Sequence, residues 1–561
     1  MDAVTRDHLL HGVAAVVVGL VGILLVVGLD ARWTFSELPG YDNTDQWGAI
    51  YLHHHHHARV LAGQWPGVDP NQMVPEGLPL AALNGGNTME MWVSLLLRAV
   101  LPWPGWFSWA HLVWIPLLVM AFQPLGWVLW KRRDAALAAG LSWAMWPFFL
   151  GEMSAGRLTQ LALLGAPLGV AGLLTLGEGR WRRGAVGLAL TALGYWFYGL
   201  FMALLVPIFM LWARFGARRS TRAVLRDAVR VGLGALVLVL PWLCVALWPR
   251  WTGAWVPEPG GGPGGASAVF DMALKLEGTQ PRSARGWLPA VYVLGALATA
   301  FWGHRRALWA ALTGVTVLFA LGPATRFQGL DWHLPYELVW GVVPMLSRLN
   351  HPIRWLGVAG LFVVILAADG VARRRPAALW LLPAGVVAHL WWTGRAPLQH
   401  HVEQIPQHWS RLDSIAAAGG VIVVPIGRSA EAIRAVHLHE RPLLGGMVEG
   451  LVWARPPEWT RRIESNSALA QLALVSTARV DRIVWVEDDV QAVRDLGFRT
   501  VVADLDLVGR VKGGQPDHVR TVLTEALGRP LYSDAHALVW HFPTSGTTTQ
   551  APRLPPVWTA P

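Results

Sequence analysis

The chain has 561 residues, of which 53% are hydrophobic and 15% are charged, and its mean hydropathy is +0.38. Soluble domains carry about a quarter charged residues, so this balance excludes an ordinary soluble protein and indicates a multi-span membrane protein. Lysine and arginine exceed aspartate and glutamate by 46 − 36 = 10. Because the arginines stand in short clusters between apolar runs, this excess is typical of cytoplasmic membrane loops and not of a nucleic-acid-binding surface. The single cysteine, Cys244, excludes an intramolecular disulfide.

Apolar runs predict about eleven membrane spans within residues 1–394, a mainly α, polytopic architecture. The spans are expected at roughly residues 10–29, 107–130, 135–150, 161–176, a pair within 185–213 that turns near 195–199, 231–248, 287–302, 307–321, 356–371 and 378–392. The basic clusters at 131–133, 180–183, 214–222, 304–306 and 373–375 then all lie on one side. This predicts a cytoplasmic N-terminus and external loops at 30–106, 249–286 and 322–354. One tilted span at 185–213 would instead place the later arginines on both sides.

The character of the sequence changes after residue 394, because no later stretch is long enough to span a membrane. Short apolar runs at 421–425, 482–486 and 500–503 predict buried strands, and the segments 465–477 and 490–496 predict helices between them. We therefore expect a small α/β extracytoplasmic domain at 395–543. The Thr- and Pro-rich tail, 544–561, is expected to be disordered.

The first external loop carries the densest group of ionisable side chains. Asp42 and Asp45 are candidates for a general base, or a metal ligand, at the external membrane face. The same residues also suit a polar turn at the start of a helix, in which Asn43 would cap the first helical turn. The two interpretations can both be correct. Asp69, Glu76 and Glu90 follow later in the loop and are expected to be solvated.

A run of five histidines, 53–57, follows in the same loop. On a helix His53 and His57 share one face, as zinc ligands do, which makes a divalent metal one interpretation of the run. The other is an interfacial helix whose imidazoles face lipid headgroups.

Two arginine-containing segments lie on the predicted external side, against the positive-inside trend. The turn GEMSAGRLTQ contains Glu152, Arg157 and Gln160, and its arginine would bind a lipid phosphate or pair with Glu152. The segment SRLNHPIRW precedes a late span. Its basic residues, which would clamp a phosphate or extend to the interface, are Arg348, His351 and Arg354.

The order of these motifs resembles that of the GT-C-type multi-pass membrane glycosyltransferases and of bacterial integral membrane proteins close to them. The likeness lies in layout and loose motifs over most of the membrane part: NTDQWGAIYL, VPEGLPL, GRLTQLALLGAPL and LGPATRFQGLDWHLPYELVWGVVPMLSRLNHPIRW.

The resemblance implies an enzyme of the cell inner membrane that uses a sugar on a polyprenyl-phosphate carrier. Its acceptor would be a glycan, a lipid or a protein. By the same resemblance Asp45 would be the general base, supported by Asp42, while Arg157, Arg348 and Arg354 would hold the donor phosphate.

Two other functions compete with this one. A transporter or flippase of a lipid-linked or anionic substrate would favour ionisable residues in the middle of the spans, and these spans are nearly free of charge. The other alternative is a catalytically inactive envelope protein whose external domain binds a partner.

Overall fold

A computed structural model of the chain describes residues 3–28, 31–81, 89–251, 288–322, 324–327, 330–343, 346, 352–416, 418–427, 432–433, 440–446, 455–550, 552–555 and 557. The chain divides into two compact units. The first comprises Met1–Tyr41, Gly85–Cys244 and Gly262–Val402, and the second comprises Asp42–Asn84, Val245–Gly261 and Glu403–Pro561. Most of the loop predicted at 249–286 lies outside the described residues.

The helices up to residue 392 are α1 (Ala3–Val27), α2 (Trp33–Ser36), α3 (Thr44–Leu61), α4 (Met89–Arg98), α5 (Gly105–Leu112), α6 (Trp114–Trp130), α7 (Arg133–Ala144), α8 (Pro147–Ser154), α9 (Gly165–Leu173), α10 (Trp181–Gly194), α11 (Trp196–Leu211), α12 (Thr221–Trp251), α13 (Ala290–Trp302), α14 (Arg306–Ala320), α15 (Pro335–Val342), α16 (Trp355–Arg374) and α17 (Leu381–Trp392). All except α3 lie in the first unit or, for α12, begin in it. A π-helical turn, Trp212–Gly216, follows α11, and 3-10 turns lie at Leu158–Leu161, Pro352–Arg354 and Pro376–Trp380.

Several of these helices are apolar enough to cross a membrane, so the chain is a membrane protein. Among the described residues five stretches have the required length: Leu10–Val27, Gly105–Trp130, Trp196–Gly216, Thr221–Trp248 and Pro352–Arg374. Four apolar stretches are shorter: Leu158–Leu173, Ala290–Trp302, Arg306–Ala320 and Pro376–Trp392. The total of eleven spans stays a prediction.

Two predicted apolar segments, 135–150 and 185–213, each correspond to a pair of helices. The span expected at 135–150 is divided into α7 and α8, and Pro147 begins the second of these helices. The turn expected near 195–199 lies at Tyr195, which has an extended backbone (φ −157°, ψ 119°) between α10 and α11.

Glycines allow α9 and α10 to pack closely together. A Cβ atom on Gly187 would lie 2.1 Å from the Gly169 backbone nitrogen, and one on Gly172 would lie 2.1 Å from that of Gly184. Only residues without a side chain fit at these crossings, as in other membrane helix pairs with small residues at their interface. This close packing fixes the position of the turn that precedes α9, where Arg157 and Gln160 lie.

The second unit contains a four-stranded sheet. Its strands are β5 (Gly420–Val424), β6 (Phe498–Asp504), β7 (Tyr532–Ser533) and β8 (Ala537–His541), in the order β5-β6-β8-β7. The earlier strands, β1 (Leu38–Pro39), β2 (Ala324–Phe327), β3 (Leu330–His333) and β4 (His400–His401), form the antiparallel pairs β1-β4 and β2-β3 in the first unit. In the four-stranded sheet β5 and β6 are parallel, while β8 is antiparallel to both of its neighbours.

Helices accompany this sheet: α18 (Gln407–Ser410), α19 (Leu412–Ile415), α20 (Pro457–Ser465), α21 (Ser467–Val475), α22 (Glu487–Asp495), α23 (Leu505–Arg510) and α24 (Pro516–Leu527). The core on one side of the sheet includes Ile422, Val501 and Trp540. Helix α3 of the first loop belongs to this unit, since its Tyr51 packs with Trp409 and other buried residues in a second core cluster.

The segment 482–486 does not join the sheet, contrary to the sequence-based prediction. The Val484 amide donates to the Gln471 side-chain oxygen (2.7 Å), and the Trp485 carbonyl accepts from the Thr547 amide (2.7 Å). Its backbone groups are therefore used outside the sheet. The contact from Thr547 comes from the tail, 544–561, that was expected to be disordered. Leu554 of the same tail packs against the core.

Candidate functional site

The turn after α8 holds three of the residues singled out from the sequence. Gly156, at φ +74°, reverses the chain directly before Arg157, a conformation that favours glycine. The Arg157 guanidinium then returns to Glu152, with 3.2 Å between Nη1 and Oε2. The pairing between these two residues that the sequence allowed is therefore present. Arg157 remains about one-third exposed, so its outer face is accessible.

The break between α10 and α11 brings Tyr195 to Arg354. The Arg354 Nη1 donates a hydrogen bond of 2.5 Å to the Tyr195 hydroxyl, and its guanidinium carbon lies 5.7 Å from the centre of the same ring. Arg354 makes no ion pair with a carboxylate among the described residues. Its positive charge therefore rests against a neutral phenol, which leaves it available to an anion.

Tyr198 connects the Arg354 side of this cluster to the Glu152 side. Its hydroxyl donates to Gln160, at 3.0 Å from the backbone oxygen and 3.2 Å from Oε1, and its ring packs on Tyr195 at 5.0 Å. Glu152 and Arg354 both interact electrostatically with the same hydroxyl. We call these six residues the arginine–tyrosine cluster: Glu152, Arg157, Gln160, Tyr195, Tyr198 and Arg354.

The arginine–tyrosine cluster thus unites four residues that the sequence predicted with two that it did not. The missed residues, Tyr195 and Tyr198, belong to the motif YWFYG at the helix break. Aromatic residues with a polar end at a break between apolar helices were the available signal. Two predicted members of the set, Arg348 and His351, lie outside the described residues.

The first-loop carboxylates lie at the start of α3. Asn43 caps this helix, because its side-chain oxygen accepts from the amides of Asp45 (2.9 Å) and Gln46 (3.2 Å), as the capping interpretation expected. The Trp47 indole N–H donates to a carboxylate oxygen of Asp42. Both carboxylates are exposed, so they are open to a ligand that approaches this end of the helix.

The histidine run is enclosed by protein, so the expectation of imidazoles facing headgroups is wrong. His53, His55, His56 and His57 are all buried, and burial lowers the pKa of His56 to about 4. The pKa of His55 is also lowered by burial, against the opposing charge of Asp69. The reason for the enclosure is that α3 is a core helix of the second unit.

Asp69 is the carboxylate beside these histidines, and it is fully buried instead of solvated. It accepts hydrogen bonds from the Tyr51 hydroxyl, from the Gln72 amide (2.7 Å) and from the Asn71 backbone (2.9 Å). His55 Nδ1 lies 3.8 Å from it. With its oxygens occupied in this way, Asp69 holds the loop to the helix.

The metal interpretation of His53 and His57 finds no third ligand among the described residues. Their rings are 6.0 Å apart in an edge-to-face arrangement. No group of three or more His, Cys, Asp or Glu side chains in the described part of the chain is placed to bind a metal ion.

The candidate residues therefore fall into two sets that belong to different units. The arginine–tyrosine cluster lies in the first unit, whereas Asp42, Asp45, His53 and His57 lie in the second.

No protein-family model matches the sequence, and no curated protein does. Among solved structures the chain is similar to the archaeal oligosaccharyltransferase AglB from Archaeoglobus fulgidus in complex with an inhibitory peptide and a dolichol-phosphate. The identity is 13%, the TM-score is 0.48, and the match covers 89% of this chain and 70% of that one. It is also similar to ArnT from Cupriavidus metallidurans bound to undecaprenyl phosphate, with 14% identity, a TM-score of 0.36, and coverage of 98% of this chain and 100% of that one.

These matches agree with the resemblance drawn from the sequence motifs. At such identities and TM-scores they carry no argument about activity. The function proposed for the chain therefore rests on its own residues.

Proposed function

We propose that the chain is an integral membrane glycosyltransferase of the bacterial inner membrane. It would transfer a sugar from a polyprenyl-phosphate-linked donor to an extracytoplasmic acceptor on a glycan, a lipid or a protein. The observation that carries the proposal is Arg354, a charged side chain that donates to the hydroxyl of Tyr195 and belongs to the same cluster as a second accessible arginine, Arg157.

The cluster suits the departure of a phosphate. When the bond between the sugar and the carrier breaks, the electron pair goes to the phosphate oxygen, and negative charge develops there. Arg354 would stabilise that charge, because a guanidinium forms charge-assisted hydrogen bonds to phosphate oxygens. Arg157 would contribute its exposed side, while Glu152 holds it in position.

The proposed base is Asp45, with Asp42 in support. Asp45 would take the proton from the acceptor hydroxyl as its oxygen attacks the anomeric carbon from the side opposite the phosphate. One displacement of this kind inverts the configuration at that carbon. Asp42 is fixed by the Trp47 indole, and Asp45 by the capped first turn of α3, so both acids have a defined backbone position.

The reaction requires a particular topology. The N-terminus is cytoplasmic, and the arginine–tyrosine cluster and the second unit are extracytoplasmic. The phosphate of the donor lipid would lie at the level of the headgroups, where Arg354 would bind it. The external protein surface near the headgroups would then determine which sugar and which acceptor bind.

The test measures sugar transfer in membrane vesicles that contain the full chain and a labelled polyprenyl-phosphate sugar. Arg354→Gln should reduce transfer by roughly 100-fold, because it removes a donor to the leaving phosphate. Asp45→Asn should reduce it by at least about 100-fold, because it removes the base.

The matched controls are Arg529→Gln, an exposed arginine, and Asp488→Asn, an exposed acid in the first turn of α22. Both should keep full transfer. Activity that survives Asp45→Asn would remove this residue from the mechanism. Movement of the lipid-linked sugar across the bilayer with no product formed would replace the enzyme by a transporter.

A further inference from the structure

A second arginine site lies in the first unit, away from the arginine–tyrosine cluster, beside the π-helical turn. Arg305, in the connection between α13 and α14, places its guanidinium carbon 5.2 Å from the centre of the Trp212 ring. Arg219 approaches the same ring at 5.8 Å. The turn itself is widened, since the Ala217 amide donates to the Trp212 carbonyl (2.9 Å), and π turns often occur at functional positions.

Arg219 is satisfied by its own surroundings. Its Nη1 donates to the Leu174 carbonyl (2.9 Å) and the Leu176 carbonyl (2.6 Å), and its Nη2 pairs with Glu178. These contacts tie the connection after α9 to the start of α12. Arg219 therefore has a structural role, and it also occupies the Glu178 carboxylate.

Asp369, the other nearby acid, is occupied as well. It is buried, and its oxygens accept from the Trp130 indole (3.1 Å), the His304 amide (2.8 Å) and the Arg373 Nε (3.2 Å). Both of its oxygens are therefore in use. The charge of Asp369 acts electrostatically on Arg305 without a bond between the two side chains.

Arg305 is the member of this group whose charge has no bonded anion in the described part of the chain. Its Nε and Nη1 are buried and have no hydrogen-bond partner among the described residues. Burial lowers the pKa of Arg305, and the charges of Arg373 and Arg219 act in the same direction. A guanidinium stays protonated at neutral pH, so its buried N–H groups represent an unfavourable desolvation that an anion would relieve.

We propose that Arg305, beside Trp212, binds the phosphate of an anionic phospholipid headgroup from the leaflet on the arginine-rich side. The planar guanidinium matches two phosphate oxygens, and a small rotation about its last side-chain bonds would expose Nη1 together with the less enclosed Nη2. Headgroup phosphates are the anions present at the ends of apolar helices. The Trp212 indole would cover the glycerol part, as tryptophans do at membrane interfaces.

The function of such a site is to hold the connections between α11, α12, α13 and α16 in one arrangement. All four contribute to the surroundings of Arg305 through Trp212, Arg219, His304 and Asp369. A bound phosphate would link them, and its binding energy would add to the stability of the first unit. This site is independent of the proposed glycosyltransferase reaction.

The experiment uses the full chain in a neutral detergent and measures its melting temperature during titration with short-chain phosphatidylglycerol. The wild type should show a saturable increase. Arg305→Gln should weaken the apparent affinity about tenfold or more, because it removes charge-assisted hydrogen bonds to one phosphate. Arg305→Lys, which keeps the charge but not the planar fork, should lie between them. Arg374→Gln removes an exposed arginine at the same end of α16 and should bind like the wild type.

Parallel titrations with glycerol phosphate and inorganic phosphate distinguish the source of the anion. Saturation by phosphatidylglycerol at much lower concentration than either soluble phosphate supports a lipid site. Equal affinities for all three would overturn the assignment to a lipid. Equal loss of binding in Arg305→Gln and Arg374→Gln would overturn the site itself, because only the summed surface charge would then matter.

Discussion

Replacing Glu90 by glutamine should stabilise the protein at neutral and alkaline pH and change little at acidic pH. Glu90 lies in α4 and is 2% exposed, although the sequence suggested a solvated loop residue. Its Oε2 has no hydrogen-bond partner among the described residues. Burial raises the pKa of Glu90 from 4.5 to about 8, so the folded protein holds this carboxyl in its neutral form at pH 7.

The sign of the effect depends on where the proton is bound. Between pH 4.5 and about 8 the folded chain keeps the Glu90 proton, while the unfolded chain releases it, so stability falls as pH rises through this window. At about 1.4 kcal/mol for each tenfold difference, the loss is roughly 3 kcal/mol at pH 7 and roughly 5 kcal/mol above pH 8. Glutamine has nearly the same shape and no proton to release, so Glu90→Gln removes this pH dependence.

The assay is thermal unfolding in detergent at one heating rate, followed by tryptophan fluorescence from pH 5.5 to 9. The stabilisation of Glu90→Gln over the wild type should grow across the series, from roughly 1.4 kcal/mol at pH 5.5 to roughly 5 kcal/mol above pH 8, with a parallel increase in the difference between their melting temperatures. Glu464→Gln, an exposed acid in α20, should follow the wild type at every pH. Parallel curves for Glu90→Gln and the wild type would refute the neutral, buried carboxyl.

Three further predictions test other contacts. Asn43→Ala should lower the free energy of unfolding of the second unit by about 1 kcal/mol, measured by urea titration, because it removes the cap of α3, while Asn43→Asp should restore it. Asp69→Ala should cost about 3 kcal/mol in the same titration and Tyr51→Phe about 1 kcal/mol, since only the first leaves buried donors without an acceptor. Gly187→Leu should abolish folded protein in detergent by size-exclusion chromatography, because its side chain would collide with the α9 backbone.

Hydropathy located most helices of the first unit because burial in lipid requires nearly continuous apolar sequence. The same signal does not resolve how a long apolar run is divided. Residues 135–150 form one apolar stretch, yet Pro147 begins a separate helix there. At Tyr195 the break was predictable, since basic clusters at both ends of 185–213 required two crossings.

The sheet of the second unit was predicted only in part. Two strands follow from short runs of β-branched residues, β5 and β6. The run at 482–486 is also rich in β-branched residues, but its backbone groups form hydrogen bonds with the Gln471 side chain and with the tail instead of with a neighbouring strand. Strand β8 lies between β6 and β7 and was not predicted, since its segment, ALVWH, contains a single β-branched residue.

The histidine run shows how residue type alone misleads. Five imidazoles in a polar loop suggested a surface that faces lipid headgroups, whereas four of them are buried; the metal interpretation of His53 and His57 stays a prediction. Their environment is determined by the neighbouring residues Tyr51 and Leu52, which pack into the two core clusters of the second unit. Both residues directly precede the run, but the sheet against which they pack is formed more than 350 residues later.

The hydrogen-bond partners of an arginine indicate whether it has a structural role or is available to bind an anion. Arg219 and Arg354 both lie beside apolar helices, and although the sequence predicted them on opposite sides of the membrane, it did not indicate which of them has its donors satisfied. The first uses its donors on two carbonyls and a carboxylate, whereas the second bonds to a neutral phenol. A satisfied guanidinium holds the fold together, while one without an acid partner retains the free energy of binding an anion. By this criterion Arg354 and Arg305 are two arginines of the described residues to which a phosphate would bind, and we propose a different ligand for each of them.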